Sequence, residues 1–237
     1  MAWQCILGII IMVASFIGVL VAAKVRMQPV AMGCAVLMLV GLGMYAWFYM
    51  NPPPDLSYQV YGKAVAQKTG ETLKAAGLSS ATLITADTSS EYSKEYLQIM
   101  KDAFGGSIEV VTPANGEDGG MIELTNARLK EIIKTASADS VIILDVNMMD
   151  ASKVDFLKGA YKGPKFFITA NGSIMGAKIK AIANAMKKGN LIGAVVYVDS
   201  TDPDFKPSDS DLAEAFNKRY VVVNADNFDQ YKEKFGF

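Results

Sequence analysis

The chain has 237 residues, and its 23 lysines and arginines nearly balance 24 aspartates and glutamates, so it carries no basic footprint for nucleic acid. It contains no histidine, which removes His-based triads, the commonest general base and the usual zinc and iron sites. Both cysteines, Cys5 and Cys34, fall in apolar runs, which excludes a disulfide framework or a CxxC redox or metal site.

Apolar and charged residues are segregated along the chain. Residues 3–23 contain no charged side chain, and neither do residues 29–50. Each run exceeds the roughly 20 residues needed to cross a ~30 Å hydrocarbon core, so two transmembrane helices are expected in a hairpin over residues 1–50. The first lacks the basic start of a cleaved signal peptide, and its apolar run is too long for one. The loop at residues 24–28 carries Lys24 and Arg26, which the positive-inside rule places in the cytoplasm, with both chain ends outside. Trp3 at one end and Tyr45, Trp47, Phe48 and Tyr49 at the other would share an aromatic belt, although Lys63 and Lys68 come soon after. Ala14, Gly18 and Ala22 make a small-residue stripe for close helix packing, within the hairpin or against a partner membrane subunit.

Asn51-Pro52-Pro53-Pro54-Asp55 cannot continue a helix and reads as a stiff spacer. Residues 61–76 form a helix ended by Gly77, either a stalk or the first helix of the soluble domain, so 51–80 is taken as linker and stalk. From residue 81 to 237 strands and helices alternate. The predicted strands are 81–86, 108–112, 141–144, 165–169 and 191–198, with a last one at 220–224. The predicted helices cover 90–104, a stretch ending near Thr135, a segment through Val154, Phe156 and Leu157, then 174–188 and 211–219. On the first of these, Tyr92, Tyr96, Leu97, Met100 and Phe104 share one face. The pattern implies an α/β fold, a flavodoxin-like or Rossmann-like parallel sheet of order near 2-1-3-4-5 with helices on both faces, and residues 220–224 added at an edge.

In such a sheet the crevice opens beyond the carboxyl ends of the first and third strands. That gathers Asp87, Thr88, Ser89, Asp145 and Asn147, with Asn171 beside them, as candidate ligand-binding residues. The same residue types also cap helices and make turns. Asp87 and Asp145 would repel unless something sits between them, which makes them the candidate metal pair. The turn after the first strand has no glycine, so neither a GxGxxG nor a P-loop is present, and no GxSxG elbow occurs. No cofactor is expected.

SVIILDVNMMD at residues 140–150, with Asp145 in the acceptor place, resembles the phospho-acceptor strand of response-regulator receiver domains. EVVTPANGED at 109–118 resembles their second strand and turn, FFITA at 166–170 the strand bearing their switch threonine (here Thr169), and Lys206-Pro207 their Lys-Pro pair. The first strand carries one acidic residue, Asp87, where receivers carry two, and extra residues fall after Asn115 and after Thr169. Residues 81–145 also resemble the opening of one lobe of the type 1 periplasmic sugar-binding proteins: a strand, a Ser-rich loop, a long helix and the strand DSVIIL. That resemblance implies ligand contacts in the loops at 87–90 and 145–147 and at Asn171. Those proteins close two lobes on a ligand, whereas this chain has residues for one.

The leading expectation is a non-catalytic, membrane-anchored extracytoplasmic α/β binding or assembly subunit. Its partners would be the lipid bilayer, a membrane protein or a second copy, and a small polar ligand. The alternatives are a Mg²⁺- or Ca²⁺-dependent enzyme using Asp87 and Asp145 as hard oxygen ligands, and a cytoplasmic receiver-like signalling domain.

Overall fold

The computed structural model describes residues 3–50, 57–113, 124–148, 154–158, 160–198 and 205–235, and the side chains of all of these except 3–5 and 48–50. The Pro-rich spacer, the turn at 115–120 and the Asp199–Asp202 cluster lie outside the described residues, as do the side chains of Trp3, Phe48 and Tyr49. The chain divides into two compact units, Met1–Asp55 and Leu56–Phe237.

In the first unit, α1 (Trp3–Lys24) and α2 (Gln28–Met50) form an antiparallel hairpin. Both are long and apolar enough to cross a membrane. The turn is closed by Arg26 in the left-handed region at φ 58°, with the Met27 amide donating to the Ala22 carbonyl and the Arg26 amide to that of Ala23. This is the double hydrogen bond of a Schellman cap, made here by an arginine instead of the usual glycine. Pro29 then sits in the first turn of α2, where its missing N–H costs nothing. The helices meet along small residues: a Cβ on Gly41 would lie 3.0 Å from the Gly8 carbonyl, and one on Gly18 would lie 2.7 Å from Cys34 Sγ. Gly18 and Ala22 lie on this face with buried Ser15, whereas Ala14 is exposed. Ile10, Val13, Ile17, Leu20 and Val36 remain exposed, so the hairpin is apolar on its outside as well.

The second unit begins with α3 (Ser57–Ala75) and continues through β1 (Ser80–Thr85), α4 (Glu91–Phe104), β2 (Ser107–Val111), α5 (Asn126–Thr135) and β3 (Val141–Asp145). Next come β4 (Asn147–Met148), β5 (Lys165–Ile168), β6 (Ser173–Ile174), α6 (Ile179–Lys187), β7 (Leu191–Tyr197), α7 (Leu212–Arg219), β8 (Tyr220–Val223) and α8 (Phe228–Tyr231). The main sheet runs β2-β1-β3-β5-β7-β8, parallel except for β8, which pairs antiparallel with β7. This is the expected order with an edge strand added. The edge strand is entered directly from α7, with Arg219 the last helical residue and Tyr220 the first of the strand.

Alternation along each strand builds a core on both faces. Val141 and Ile143 of β3 join Leu83 and Phe167 beneath α3, α4 and α7, where Ala64, Leu73, Met100, Phe104 and Phe216 are buried. Ile142 and Leu144 point the other way, with Phe166 and Ile168, onto Leu129, Ile132, Ile182 and Met186 of α5 and α6. All five residues of β3 are buried, which makes it the centre of the sheet.

Two expected helices differ. The segment through Val154, Phe156 and Leu157 is one 3₁₀ turn, Asp155–Leu157, because only a few residues separate it from Gly163-Pro164; it serves to stack Phe156 on Phe166 at 3.9 Å. The helix expected at 174–188 starts only at Ile179. Residues Ser173–Ile174 instead pair with Asn147–Met148 in a small second sheet, and Gly176 at φ 79° breaks the chain between this strand and the helix.

Gly70 marks the closest approach of α3 to α4: a Cβ there would lie 2.5 Å from the Met100 carbonyl and 2.8 Å from the Phe104 amide. In an open helix, Gly to Ala stabilises by about 1 kcal/mol. Here Gly70→Ala is expected to destabilise the second unit by about 1–3 kcal/mol, because backbone must move. Thermal melting of the full chain in mild detergent checks the sign, and an unchanged or higher midpoint would show that α3 does not pack as described.

Candidate functional site

The carboxyl ends of β1, β3 and β5 and the first turns of α4 come together around Asp145. Thr85 and Asp145 are register partners on neighbouring parallel strands. After β5 the chain crosses over the end of β3, since a Cβ on Gly172 would lie 2.2 Å from the Leu144 carbonyl. The Thr169 amide donates to that same carbonyl at 3.0 Å, which fixes Thr169 and Asn171 beside the strand end.

Asp145 is 9% exposed and accepts four side-chain hydrogen bonds from three other segments. Its Oδ1 receives the Tyr96 hydroxyl at 3.0 Å, the Asn171 amide at 3.2 Å and the Thr169 hydroxyl. Its Oδ2 receives the Thr85 hydroxyl at 3.2 Å. Burial pushes the carboxyl pKa up; the hydrogen bonds from Thr169, Tyr96, Thr85 and Asn171 oppose this without cancelling it. Burial, and then the charge of Asp145, raise Tyr96 well above the ordinary phenol value, so it stays a donor. Tyr92 is pushed up to about 12 by the same two causes in the same order.

Asp87 has a different role. It is exposed, and its Oδ1 accepts from the Ser89 amide at 2.8 Å, the Ser89 hydroxyl at 2.9 Å and the Ser90 amide at 3.4 Å, while Oδ2 accepts from the Ser93 hydroxyl at 2.9 Å. Hydrogen bonds from Ser90, Ser89 and Ser93 hold its carboxyl well below the usual range. Ser90 in turn caps α4 by accepting from the Ser93 amide at 3.1 Å. Asp87 thus fastens the β1–α4 loop.

Above this network lies a cavity of about 390 Å³, within the size range of small-molecule sites. Asp145, Thr85 and Tyr96 form its deep end; Leu83, Leu97, Val110 and Tyr92 line its walls. Asp87, Thr88 and Lys94, all exposed, stand at its mouth. Of the six residues singled out from the sequence, Asp87, Thr88, Asp145 and Asn171 line the cavity. Ser89 is engaged with Asp87, and Asn147 is turned into the small sheet, where its Oδ1 accepts from the Ser173 hydroxyl at 2.8 Å. Sequence reasoning placed Tyr92 and Tyr96 on one face of their helix and gave them no place in the site. The signal was tyrosine, at a four-residue spacing, where leucine would pack as well: a buried hydroxyl needs a partner.

Among the described residues no group of three or more Asp, Glu, Cys or His could hold a metal. A cation bridging Asp87 and Asp145 would have to displace the serine donors that occupy both oxygens of Asp87. The arrangement is a shielded acceptor with fixed donors around it, next to an apolar-walled space.

No family model and no curated protein matches this chain. Solved structures that this chain matches include an ABC transporter solute-binding protein from Bradyrhizobium sp. BTAi1 with bound bis-tris. It shares 14% identity at a TM-score of 0.41 over 74% of this chain and 56% of its own. A sugar ABC transporter protein from Actinomyces odontolyticus ATCC 17982 shares 16% identity at a TM-score of 0.37, over 72% of this chain and 63% of its own. The chain therefore spans less than two thirds of either structure, and the similarity to periplasmic binding proteins is weak.

Replacing Asp145 separates its charge from its hydrogen bonds. Asp145→Asn keeps an acceptor for Tyr96, Thr169 and Asn171 and places an amide where the Thr85 hydroxyl can accept, so the fold is expected to persist. Asp145→Leu strands those donors at about 1–3 kcal/mol each and should cost much of the stability. Because the folded carboxyl is raised, its contribution is fully present below the unfolded pKa and is lost as pH rises through the folded one. The stability of wild type relative to Asp145→Asn should therefore fall as pH climbs out of the ordinary carboxylate range. Melting both proteins from about pH 4 to about pH 7 checks this. A relative gain for wild type at the higher pH would mean that the hydrogen bonds outweigh burial.

Proposed function

We propose that this chain is a membrane-anchored, extracytoplasmic α/β binding subunit that holds a small polar ligand at the Asp145 end of its parallel sheet. The observation that carries the reading is the cavity of about 390 Å³ lying against a buried, pre-arranged carboxylate at the carboxyl ends of β1 and β3. That is where open α/β sheets bind ligands. In this reading residues 1–50 are the anchor, 51–55 a stiff spacer, and α3 opens the binding domain that runs on through 81–237. Lys24 and Arg26 in the hairpin turn support a cytoplasmic turn, which carries the second unit to the opposite side. A lone lobe leaves its ligand open to solvent on one side. The reading therefore includes a covering protein surface, from a membrane partner or a second copy of the chain.

The other two expectations fit less well. A receiver-type phosphoryl transfer needs a cation held beside the acceptor, and the one acidic residue after the first strand, Asp87, is bound up by serines. A catalytic Mg²⁺ or Ca²⁺ needs several free oxygens, whereas both oxygens of Asp87 and Oδ1 of Asp145 are engaged and only Asp145 Oδ2 keeps an open position.

Two measurements test the proposal. In a Cys5→Ser, Cys34→Ser background, a single Lys130→Cys should react with a membrane-impermeant maleimide in sealed right-side-out vesicles and not in inside-out ones. The reverse pattern would place the domain in the cytoplasm and overturn the location. In a melting screen of small polar compounds, at least one should stabilise the wild type and fail to stabilise Val110→Trp, which fills the cavity. A screen without any such compound would remove the binding role.

A further inference from the structure

We propose that the ligand of this cavity is a small organic cation, a primary amine with a short apolar body, whose ammonium docks on Asp145 Oδ2. The inference rests on the binding role proposed for the same cavity and names the ligand class.

Asp145 is buried, and no lysine or arginine pairs with it among the described residues. The ion pairs lie elsewhere, at Lys63 with Glu95 and Asp209, and within α3, α5 and the 3₁₀ turn. A buried carboxylate without a counter-charge is costly, and hydrogen bonds from neutral groups compensate only part of it. The two oxygens are also unequally used. Oδ1 takes three donors, from Tyr96, Thr169 and Asn171, whereas Oδ2 takes only the Thr85 hydroxyl. A carboxylate oxygen has about two acceptor positions, so Oδ2 retains one. Thr85 and Asp145 both line the cavity, which leaves that position the natural seat for a donor arriving from it.

The walls suit an organic cation better than a hydrated one. Tyr92 and Tyr96 line the cavity with rings 6.2 Å apart and inclined at 46°, and both phenols stay neutral. Aromatic faces attract ammonium groups, most strongly where water is excluded. The side chains of Leu83, Leu97 and Val110 offer no oxygen to a metal ion but would pack on methylenes. At the mouth Asp87 and Lys94 carry opposite charges, so the lining as a whole is negative by the charge of Asp145. A neutral polyol would reach Oδ2 but leave that charge uncompensated, and an anion would be repelled.

Titration calorimetry on the full chain in mild detergent decides the matter, with putrescine, tetramethylammonium, glucose and MgCl₂ compared at matched ionic strength. Putrescine is expected to bind at one site and tetramethylammonium more weakly, since it cannot donate to Oδ2. Glucose and MgCl₂ should give no heat of binding. Asp145→Asn should weaken putrescine by about tenfold or more, as expected for loss of a charge-assisted hydrogen bond. Tyr92→Leu, at a half-buried site that leaves the Asp145 network intact, should weaken it by about threefold. Putrescine binding unchanged in both variants would put the amine elsewhere and overturn the inference, as would an equal response to MgCl₂. Glucose binding that Val110→Trp abolishes, without putrescine binding, would overturn the ligand class and leave the binding role standing. Silence from every compound here and in the wider screen would remove both.

Discussion

A single buried carboxylate holds the carboxyl end of this sheet together. Asp145 sits at the tip of the central strand and collects hydroxyl and amide donors from the end of β1, from α4 and from the loop after β5. Main-sheet pairing stops at Thr85 and Asp145 on one side and at Leu144 and Ile168 on the other, and beyond it only the Thr169 amide on Leu144 and the small β4–β6 sheet add backbone bonds. The side-chain network takes over where the ladder ends. Such an arrangement is stabilising only while every donor is satisfied, which makes it a rigid unit with a sharp dependence on one residue.

The rest of the fold supplies what that network requires. Asp145 is enclosed because the apolar run Val141–Leu144 is buried on both faces, beneath α3, α4 and α7 on one side and α5 and α6 on the other. Tyr96 reaches it because α4 is held against α3 at the bare backbone of Gly70 and capped at its start by Ser90. Asn171 and Thr169 reach it because Gly172 lets the next loop pass directly over Leu144. Packing decisions far from the site therefore set distances within it, and small residues at two close approaches matter as much as the polar groups.

Most of the architecture was legible from periodicity. Uncharged runs of membrane-crossing length, alternating β and α units, and the abrupt end of an apolar run at Asp145 are local signals, and local signals are what a sequence records best. The site was legible only in part. Asp145, Asp87, Thr88 and Asn171 stand where strand-end reasoning put them, because the ends of parallel strands are set by topology. Asn147 does not, since pairing with Ser173 turns it into a second sheet, and that partner lies 26 residues away. The late start of α6 has the same cause: two residues that read as helix are recruited as strand by a distant neighbour. Tyr96 escaped notice for a related reason. Its spacing marks it as core, and only the fold reveals that its hydroxyl meets a carboxylate 49 residues along the chain. Pairwise polar contacts at long range leave no periodic trace.

The two acidic residues that looked alike in the sequence show how environment assigns roles. Asp87 is exposed and encircled by serines, and its lowered pKa keeps it charged, as a loop fastener must be. Asp145 is buried among donors, and its raised pKa reports a charge held at a cost. A site that stores such a cost gains from any ligand that relieves it, since the ligand then replaces part of the missing solvation as it binds. Three of the four donors to Asp145 are committed to Oδ1, which leaves Oδ2 as the oxygen open to a ligand. The geometry is that of a held acceptor beside an apolar-walled space, and the proposed binding role draws on that arrangement.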